Sequence, residues 1–165
     1  MRATAQAVIA APIETVWSFV SDPEQALRFM SGVTRWEVKS EPPTGIGARY
    51  RMLLRVGSAE VGGLIEIVEW DPPRELAWTS ITGVDQRGRW RLRPVSEGRT
   101  RVELRLAAGV AGSGVAGWLA ERIATPGISS HLRASVAQLS RLVEHERMRE
   151  LAAQRRAAHS GAPGD

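Results

Sequence analysis

The sequence predicts a single α+β domain in which a curved, seven-stranded antiparallel sheet wraps around a long C-terminal helix. Three observations predict this fold class. The length of 165 residues fits one domain. Between Gly32 and Leu106, apolar residues alternate with charged ones, as in strands that bury only one face. After Thr125, apolar residues recur at helical spacing.

The N-terminal part predicts one strand followed by two short helices. Residues 5–10 include small and β-branched residues, a composition that is typical of a strand. Pro12 suits a first helical turn, and an apolar helical face follows at Ile13, Val16, Trp17 and Val20. Residues 22–24, Asp-Pro-Glu, predict a second helix start, whose apolar side would consist of Ala26, Leu27 and Met30.

The middle of the chain predicts six more strands, each separated from the next by glycine- or proline-containing turns. The alternating segments are residues 35–39, 49–56, 61–70, 76–81, 87–93 and 101–106.

The C-terminal part predicts helices. Residues 109–117 are small and rich in glycine, and we expect them to form a mobile gate. Residues 118–123 predict a short helix, and Thr125-Pro126 predicts a fresh helix start. The long helix that follows carries an apolar stripe of Ile128, Leu132, Val136, Leu139, Leu142 and Val143. One domain over 1–159 is predicted, with a core of about 3–145, a helix extension to about 156 and a disordered tail at 160–165.

Composition excludes several kinds of site. The chain has no cysteine, which rules out disulfides and thiolate chemistry. The three histidines lack the spacing of a metal site, so neither a metal nor another cofactor is expected. No apolar run is long enough to span a membrane, and the short apolar start does not predict a secretory leader. A cytoplasmic location is therefore expected.

Four segments together resemble a known superfamily. Residues 9–17 are similar to its opening strand and proline-started helix, and residues 21–24 to its second helix start. Residues 68–78 resemble its mid-sheet hairpin, and residues 88–94 with 98–102 its last hairpin. The chain thus resembles the START/Bet v 1-like (SRPBCC) superfamily in its bacterial polyketide cyclase/dehydrase-type branch, over residues 3–145.

The resemblance implies a helix-grip fold with a deep apolar cavity between the sheet and the long helix. Members of the superfamily hold lipids, sterols, polyketides, plant hormones or quinones there, and some cyclise polyketide chains. The superfamily has no shared catalytic triad, so the resemblance assigns no catalytic role to any residue.

Alternation along the strands and the helical stripe together predict the residues that face this cavity. Tryptophan and tyrosine suit a ligand-binding wall because each combines a large apolar body with a polar group. The predicted ligand-binding residues are Trp36, Tyr50, Met52, Leu54, Ile65, Ile67, Trp78, Ser80, Trp90, Leu92, Leu104, Leu106, Ile128, His131, Leu132 and Ser135. The alternative is that these side chains simply fill a core.

Two residues are candidates for proton transfer. Tyr50 is the only tyrosine, on an inward position, and His131 flanks the apolar stripe of the long helix. The competing interpretations are a tyrosine whose hydroxyl is satisfied locally and a partly exposed histidine.

The net charge is +4, and all but one of the basic residues are arginines, Lys39 being the exception. A row of these arginines is expected on the convex face of the last two strands, where only Glu103 would offset them. The six are Arg87, Arg89, Arg91, Arg93, Arg101 and Arg105. They would allow a weak contact with an anionic surface, the alternative being an ordinary solvated face; nucleic-acid binding is not favoured, because no nucleic-acid motif accompanies them.

The leading functional hypothesis is binding or transport of a small hydrophobic ligand, of lipid or polyketide type. The first alternative is a cofactor-free polyketide cyclase or aromatase, in which Tyr50 and His131 would exchange protons with the substrate. The second alternative is a protein or RNA interaction module that uses the arginine face.

Overall fold

The computed structural model describes residues 1–109 and 115–160, with side chains for 1–109 and 126–160. The parts of the expected gate at 110–114 and of the expected tail at 161–165 lie outside these residues. The elements are β1 (Arg2–Ile9), α1 (Ile13–Val20), α2 (Ala26–Phe29), β2 (Val33–Val38), β3 (Arg49–Val56), β4 (Ala59–Asp71), β5 (Glu75–Ser80), β6 (Gln86–Ser96), β7 (Arg99–Ala108) and α3 (Val115–Ser160).

The seven strands form one antiparallel sheet in the order β1-β7-β6-β5-β4-β3-β2. Strand burial follows the predicted alternation: in β3, Tyr50, Met52 and Leu54 are buried while Arg49 and Arg51 are exposed. The inner face of the sheet packs against α3, and the two short helices lie between β1 and β2 in the chain. The predicted helix-grip architecture is confirmed.

Helix α3 differs from the prediction in its length and continuity. We expected a short helix at 118–123 and a new start at Thr125-Pro126, whereas α3 runs unbroken for 46 residues with Pro126 inside it. A proline removes one main-chain hydrogen bond, and the helix continues past this loss. It also passes the expected end near 156 and continues to Ser160. Within the described residues, no helix is both long and apolar enough to cross a lipid bilayer.

The second short helix is smaller than predicted. The Asp22 carboxylate accepts a hydrogen bond from the Glu24 main-chain N–H at 2.9 Å, which makes residues 22–24 a turn and delays the helix to Ala26. The expectation for Leu27 was wrong, because its side chain is 53% exposed and Phe29 is buried instead. Phe29 packs edge-on against Trp90, with ring centroids 6.0 Å apart.

Trp78 on β5 and Gly88 on β6 are directly paired across the sheet. The Trp78 indole lies so close to Gly88 that a Cβ atom there would be 1.9 Å from Trp78 Cζ2. Only glycine at position 88 leaves room for the indole, which is 2% exposed. Gly88 therefore fixes where the Trp78 indole lies.

Replacing this glycine should destabilise the fold. Gly88→Ala is expected to lower the free energy of unfolding in urea by about 1–3 kcal/mol, because the new methyl group overpacks a rigid indole. Gly127→Ala is the matched control: it lies in α3 with open space around the new methyl group, and should raise stability by up to about 1 kcal/mol. Equal effects of the two substitutions would show that the contact with Trp78 does not constrain the sheet.

Candidate ligand-binding site

Two small cavities border the inner face of the sheet in the part of the chain that the structure describes. The first, which we call the tryptophan cavity, has a volume of about 30 Å³. The second, the histidine cavity, has about 20 Å³. Each has room for only one or a few water molecules. Met30 and Trp78 line both cavities and so form the partition between them.

The tryptophan cavity lies between the segment carrying α1 and α2 and the inner face of the sheet. Its walls are mainly aromatic or aliphatic, with a polar edge at Ser21 and Asp22. Trp36 stacks on Tyr50 with ring centroids 5.2 Å apart and planes inclined by 26°. The remaining lining residues are Val20, Pro23, Ala26, Phe29, Ile67, Trp70, Leu76 and Trp90.

Two hydrogen-bond donors in these walls have no acceptor. The indole Nε1–H groups of Trp36 and Trp78 are buried and make no hydrogen bond within the described residues. An unpaired buried donor costs roughly 1–3 kcal/mol compared with one that is satisfied. Both indoles line the tryptophan cavity, which therefore combines apolar walls with two unused donors.

The Tyr50 hydroxyl is already satisfied. It donates to the main-chain oxygen of Pro43 at 2.6 Å. Burial, with a smaller contribution from the negative charge of Asp22, raises the pKa of Tyr50 to about 12. Tyr50 therefore stays neutral through the physiological range, and its hydroxyl holds the loop between β2 and β3.

The histidine cavity is bordered by a hydrogen-bonded cluster that joins α3 to the chain between α2 and β2. The Ser135 hydroxyl donates to the His131 main-chain oxygen and accepts from the Ser31 N–H, both at 2.8 Å. Ser31 Oγ lies 3.2 Å from His131 Nδ1. Gly32, with a φ of +78°, leaves room for the imidazole, since a Cβ there would be 2.6 Å from it. The cluster holds the segment that carries Met30.

Most predicted ligand-binding residues line one of the two cavities. Trp36, Tyr50, Ile67, Trp78 and Trp90 line the tryptophan cavity. The histidine cavity is lined by Met52, Leu54, Trp78, Leu104, Leu106, His131, Leu132 and Ser135.

Four predicted residues line neither cavity. Ile65 and Leu92 are fully buried, and Ile128 is buried at the helix–sheet interface. Ser80 lies at the end of β5, where its hydroxyl accepts from the Gln86 N–H at 3.1 Å. The two proton-transfer candidates, Tyr50 and His131, lie in different cavities. No cluster of three His, Asp or Glu side chains suited to a metal ion occurs in the part of the chain that the structure describes.

Sequence reasoning missed the contribution of the α1–α2 segment. Phe29 and Met30 are both buried against the sheet, and Met30 separates the cavities. The only sequence signal for the burial of Met30 was its helical spacing from Ala26, which placed it on the apolar side of the second short helix. Its contact with Trp78, about fifty residues away, was not visible in any local pattern.

The arginine face is more neutralised than predicted. Glu75 contacts Arg89 at 2.8 Å and Arg91 at 3.0 Å, and Glu69 contacts Arg89 at 2.6 Å. The expectation that only Glu103 offsets the arginines was therefore wrong. Desolvation raises the pKa of Glu75, but the hydrogen bond from Arg91 and the charges of Arg89 and Arg91 outweigh it and leave this pKa below its ordinary value.

The family model described as polyketide cyclase/dehydrase and lipid transport matches residues 1–144. The chain belongs to this family. The match covers the sheet and most of α3, whereas residues 145–160 extend the helix beyond it. No curated protein matches the sequence.

Several solved structures share the family fold. TTHA0849 from Thermus thermophilus has a TM-score of 0.75 and 24% identity, over 87% of this chain and 97% of that one. The ZhuI aromatase/cyclase from Streptomyces sp. R1128 has a TM-score of 0.68 and 19% identity, over 87% and 95%. DR_A0006 from Deinococcus radiodurans has a TM-score of 0.66 and 18% identity, over 88% and 98%. At these identities the likeness establishes the fold alone.

Because Tyr50 is the only tyrosine, its ionisation can be followed by the ultraviolet absorbance of phenolate. We expect a midpoint at about pH 12 in the folded protein and about 10 in the urea-unfolded chain. Because the pKa is higher in the folded than in the unfolded chain, Tyr50 makes its full contribution to the free energy of unfolding below about pH 10. This contribution is lost as the pH rises toward 12. Tyr50→Phe should remove the phenolate signal and flatten the loss of stability in this interval. A folded-state midpoint near that of the unfolded chain would contradict the buried, hydrogen-bonded hydroxyl.

Proposed function

We propose that the protein binds a small hydrophobic molecule, of lipid or polyketide type, that carries an oxygen able to accept hydrogen bonds. The observation that carries this proposal is the pair of unpaired indole donors, Trp36 and Trp78, in an otherwise apolar wall. A ligand carbonyl or hydroxyl oxygen would satisfy a donor that the protein leaves unused. The apolar remainder of the ligand would gain roughly 25 cal/mol for each Å² removed from water. The family description, which names both polyketide chemistry and lipid transport, agrees with this ligand class.

Binding requires the two cavities to join. Pockets for small organic ligands usually measure about 300–1,000 Å³, far more than the 30 Å³ of the tryptophan cavity. Met30 is the partition residue best suited to move, because methionine is unbranched and has three rotatable bonds. Trp78 is held in place by its fit against Gly88. We therefore assign the opening movement to Met30 and the short α2 segment.

A cyclase or aromatase is the second candidate, and the family description is its only specific support. In such an enzyme Tyr50 and His131 would exchange protons with a substrate that occupies the joined cavities. The Tyr50 hydroxyl, however, already donates to the Pro43 main-chain oxygen, and its pKa is raised to about 12. Binding without turnover agrees better with these observations.

Matched ligands test the role of the indole donors. 2-Acetylnaphthalene carries a ketone oxygen, whereas 2-isopropenylnaphthalene has nearly the same shape, with a CH2 group in place of the oxygen, and no acceptor. In ¹H–¹⁵N spectra, the ketone should move the indole N–H signals of Trp36 and Trp78 downfield, because a hydrogen bond forms there. The hydrocarbon should move neither signal downfield, and the ketone should bind about tenfold more tightly, given that a net hydrogen bond contributes about 1 kcal/mol or more.

The Trp17 indole is the internal control in these spectra, because Trp17 lines neither cavity and packs edge-on against Trp70. Equal affinities for the two compounds, or shifts confined to Trp17, would contradict the proposal.

Substitution of the partition residue tests the opening. Met30→Ala should bind 2-acetylnaphthalene about tenfold more tightly than the unsubstituted protein, because the ligand then fills a cavity whose creation costs roughly 2–5 kcal/mol. Met148→Ala is the matched control, since Met148 is 68% exposed on the helix extension. Fluorescence titration measures both affinities. Unchanged affinity in Met30→Ala would show that the ligand does not enter between the two cavities.

A further inference from the structure

A large groove lies on the outer face of the sheet, on the opposite side from the cavities. Its volume is about 670 Å³, and it runs across β4, β5, β6, β7 and β1. Its floor consists of small outward-facing side chains, and its walls comprise arginines together with Val68 and Glu69. The floor residues include Thr4, Ala77, Thr79 and Ala107.

The register places the groove's four arginines in two adjacent rows. In the first row, Arg2 and Arg87 lie on either side of Ala107, which is paired with both. Since neighbouring strands are about 4.8 Å apart, the two main-chain positions are separated by roughly 10 Å. In the second row, Arg89 and Arg105 are direct cross-strand partners. Like charges directly opposite each other are unfavourable unless counter-charges offset them.

The charges of the groove are unevenly compensated. Arg89 contacts Glu69 and Glu75, and Arg105 contacts Glu103 at 2.6 Å. Arg2 and Arg87 are exposed and make no ion pair within the described residues. The first row therefore presents two uncompensated guanidinium groups above a methyl-sized floor, with the hydroxyl of Thr79 on the strand next to Arg87.

We propose that this groove binds a phosphate monoester group, with Arg2 and Arg87 as its principal ligands. The guanidinium group donates paired, parallel hydrogen bonds that match two phosphate oxygens. Two arginines on either side of Ala107 can contact one phosphate from both sides. Arg89 and Arg105 in the second row are paired with glutamates, so the binding charge comes from the first row. The site lies on the opposite face of the sheet from the interior cavities, although Trp78 and Leu106 border both the groove and a cavity.

The test is titration with phenyl phosphate and with inorganic phosphate at constant ionic strength, followed by main-chain amide shifts. Saturable shifts are expected on β1, β6 and β7 around Arg2, Arg87 and Ala107. Arg87→Gln should weaken phenyl phosphate binding about tenfold or more, because a charge-assisted hydrogen bond is lost. Binding of 2-acetylnaphthalene to the same variant should be unchanged, which separates this site from the proposed interior one.

Arg93→Gln is the matched control. Arg93 lies on the same strand and face, is exposed, and is the direct partner of Arg101, another arginine; it does not line the groove. Arg93→Gln should change phenyl phosphate binding by less than about twofold. Arg93 is six residues along β6 from Arg87, roughly 20 Å away, and an exposed charge at that distance is largely screened by salt.

Vesicles distinguish the possible sources of the phosphate group. Arg87-dependent binding to phosphatidylcholine vesicles only when they contain phosphatidic acid, without binding of soluble phosphates, would identify a lipid headgroup as the source. Binding of the soluble esters would identify a free metabolite. Absence of saturable binding to both, or equal losses in Arg87→Gln and Arg93→Gln, would overturn the proposal. Binding of a single-stranded RNA that Arg87→Gln and Arg93→Gln weaken equally would also overturn the proposal, because it would indicate only a general attraction of polyanions.

Discussion

The interior of this protein depends on the fit of the Trp78 indole against the bare main chain of Gly88. The contact fixes the indole at the centre of the sheet, where it separates the two cavities. Phe29 packs on Trp90 beside it, and Trp36 stacks on Tyr50. Because Trp78 is rigidly placed and its N–H has no acceptor within the described residues, the position of an unused donor follows from the glycine opposite it.

The same strands have opposite chemical character on their two faces. Successive side chains along β6 point alternately inward and outward, so that Trp90 and Leu92 face the core while Arg89 and Arg91 face solvent. Cross-strand pairing then brings arginines together on the outer face, and Glu69, Glu75 and Glu103 compensate some of them. Only the thickness of the main chain separates the apolar inner face from the charged outer face.

The strands and the helical stripe could be predicted from sequence because both depend on local periodicity. The alternation in β3 and the spacing from Ile128 to Val143 correctly indicated the buried faces. Contacts between distant segments could not be predicted in this way. The pairing of Glu75 with Arg89 and Arg91 depends on sheet register, and the role of Met30 depends on how the α2 segment docks on the sheet. The continuity of α3 through Pro126 was missed because a proline is only a probable helix boundary.

The opening that the proposed function requires is assigned to the segment between α1 and β2, because this segment is less extensively bonded than the sheet. The sheet is held by continuous ladders, whereas α2 has only four residues. Local opening has its lowest free energy where few main-chain hydrogen bonds must break. What restrains this segment is the cluster of Ser31, His131 and Ser135, which ties its end to α3. In the proposed opening, breaking this cluster would contribute to the free-energy cost of moving Met30, and would lower the affinity for a ligand that must displace this side chain.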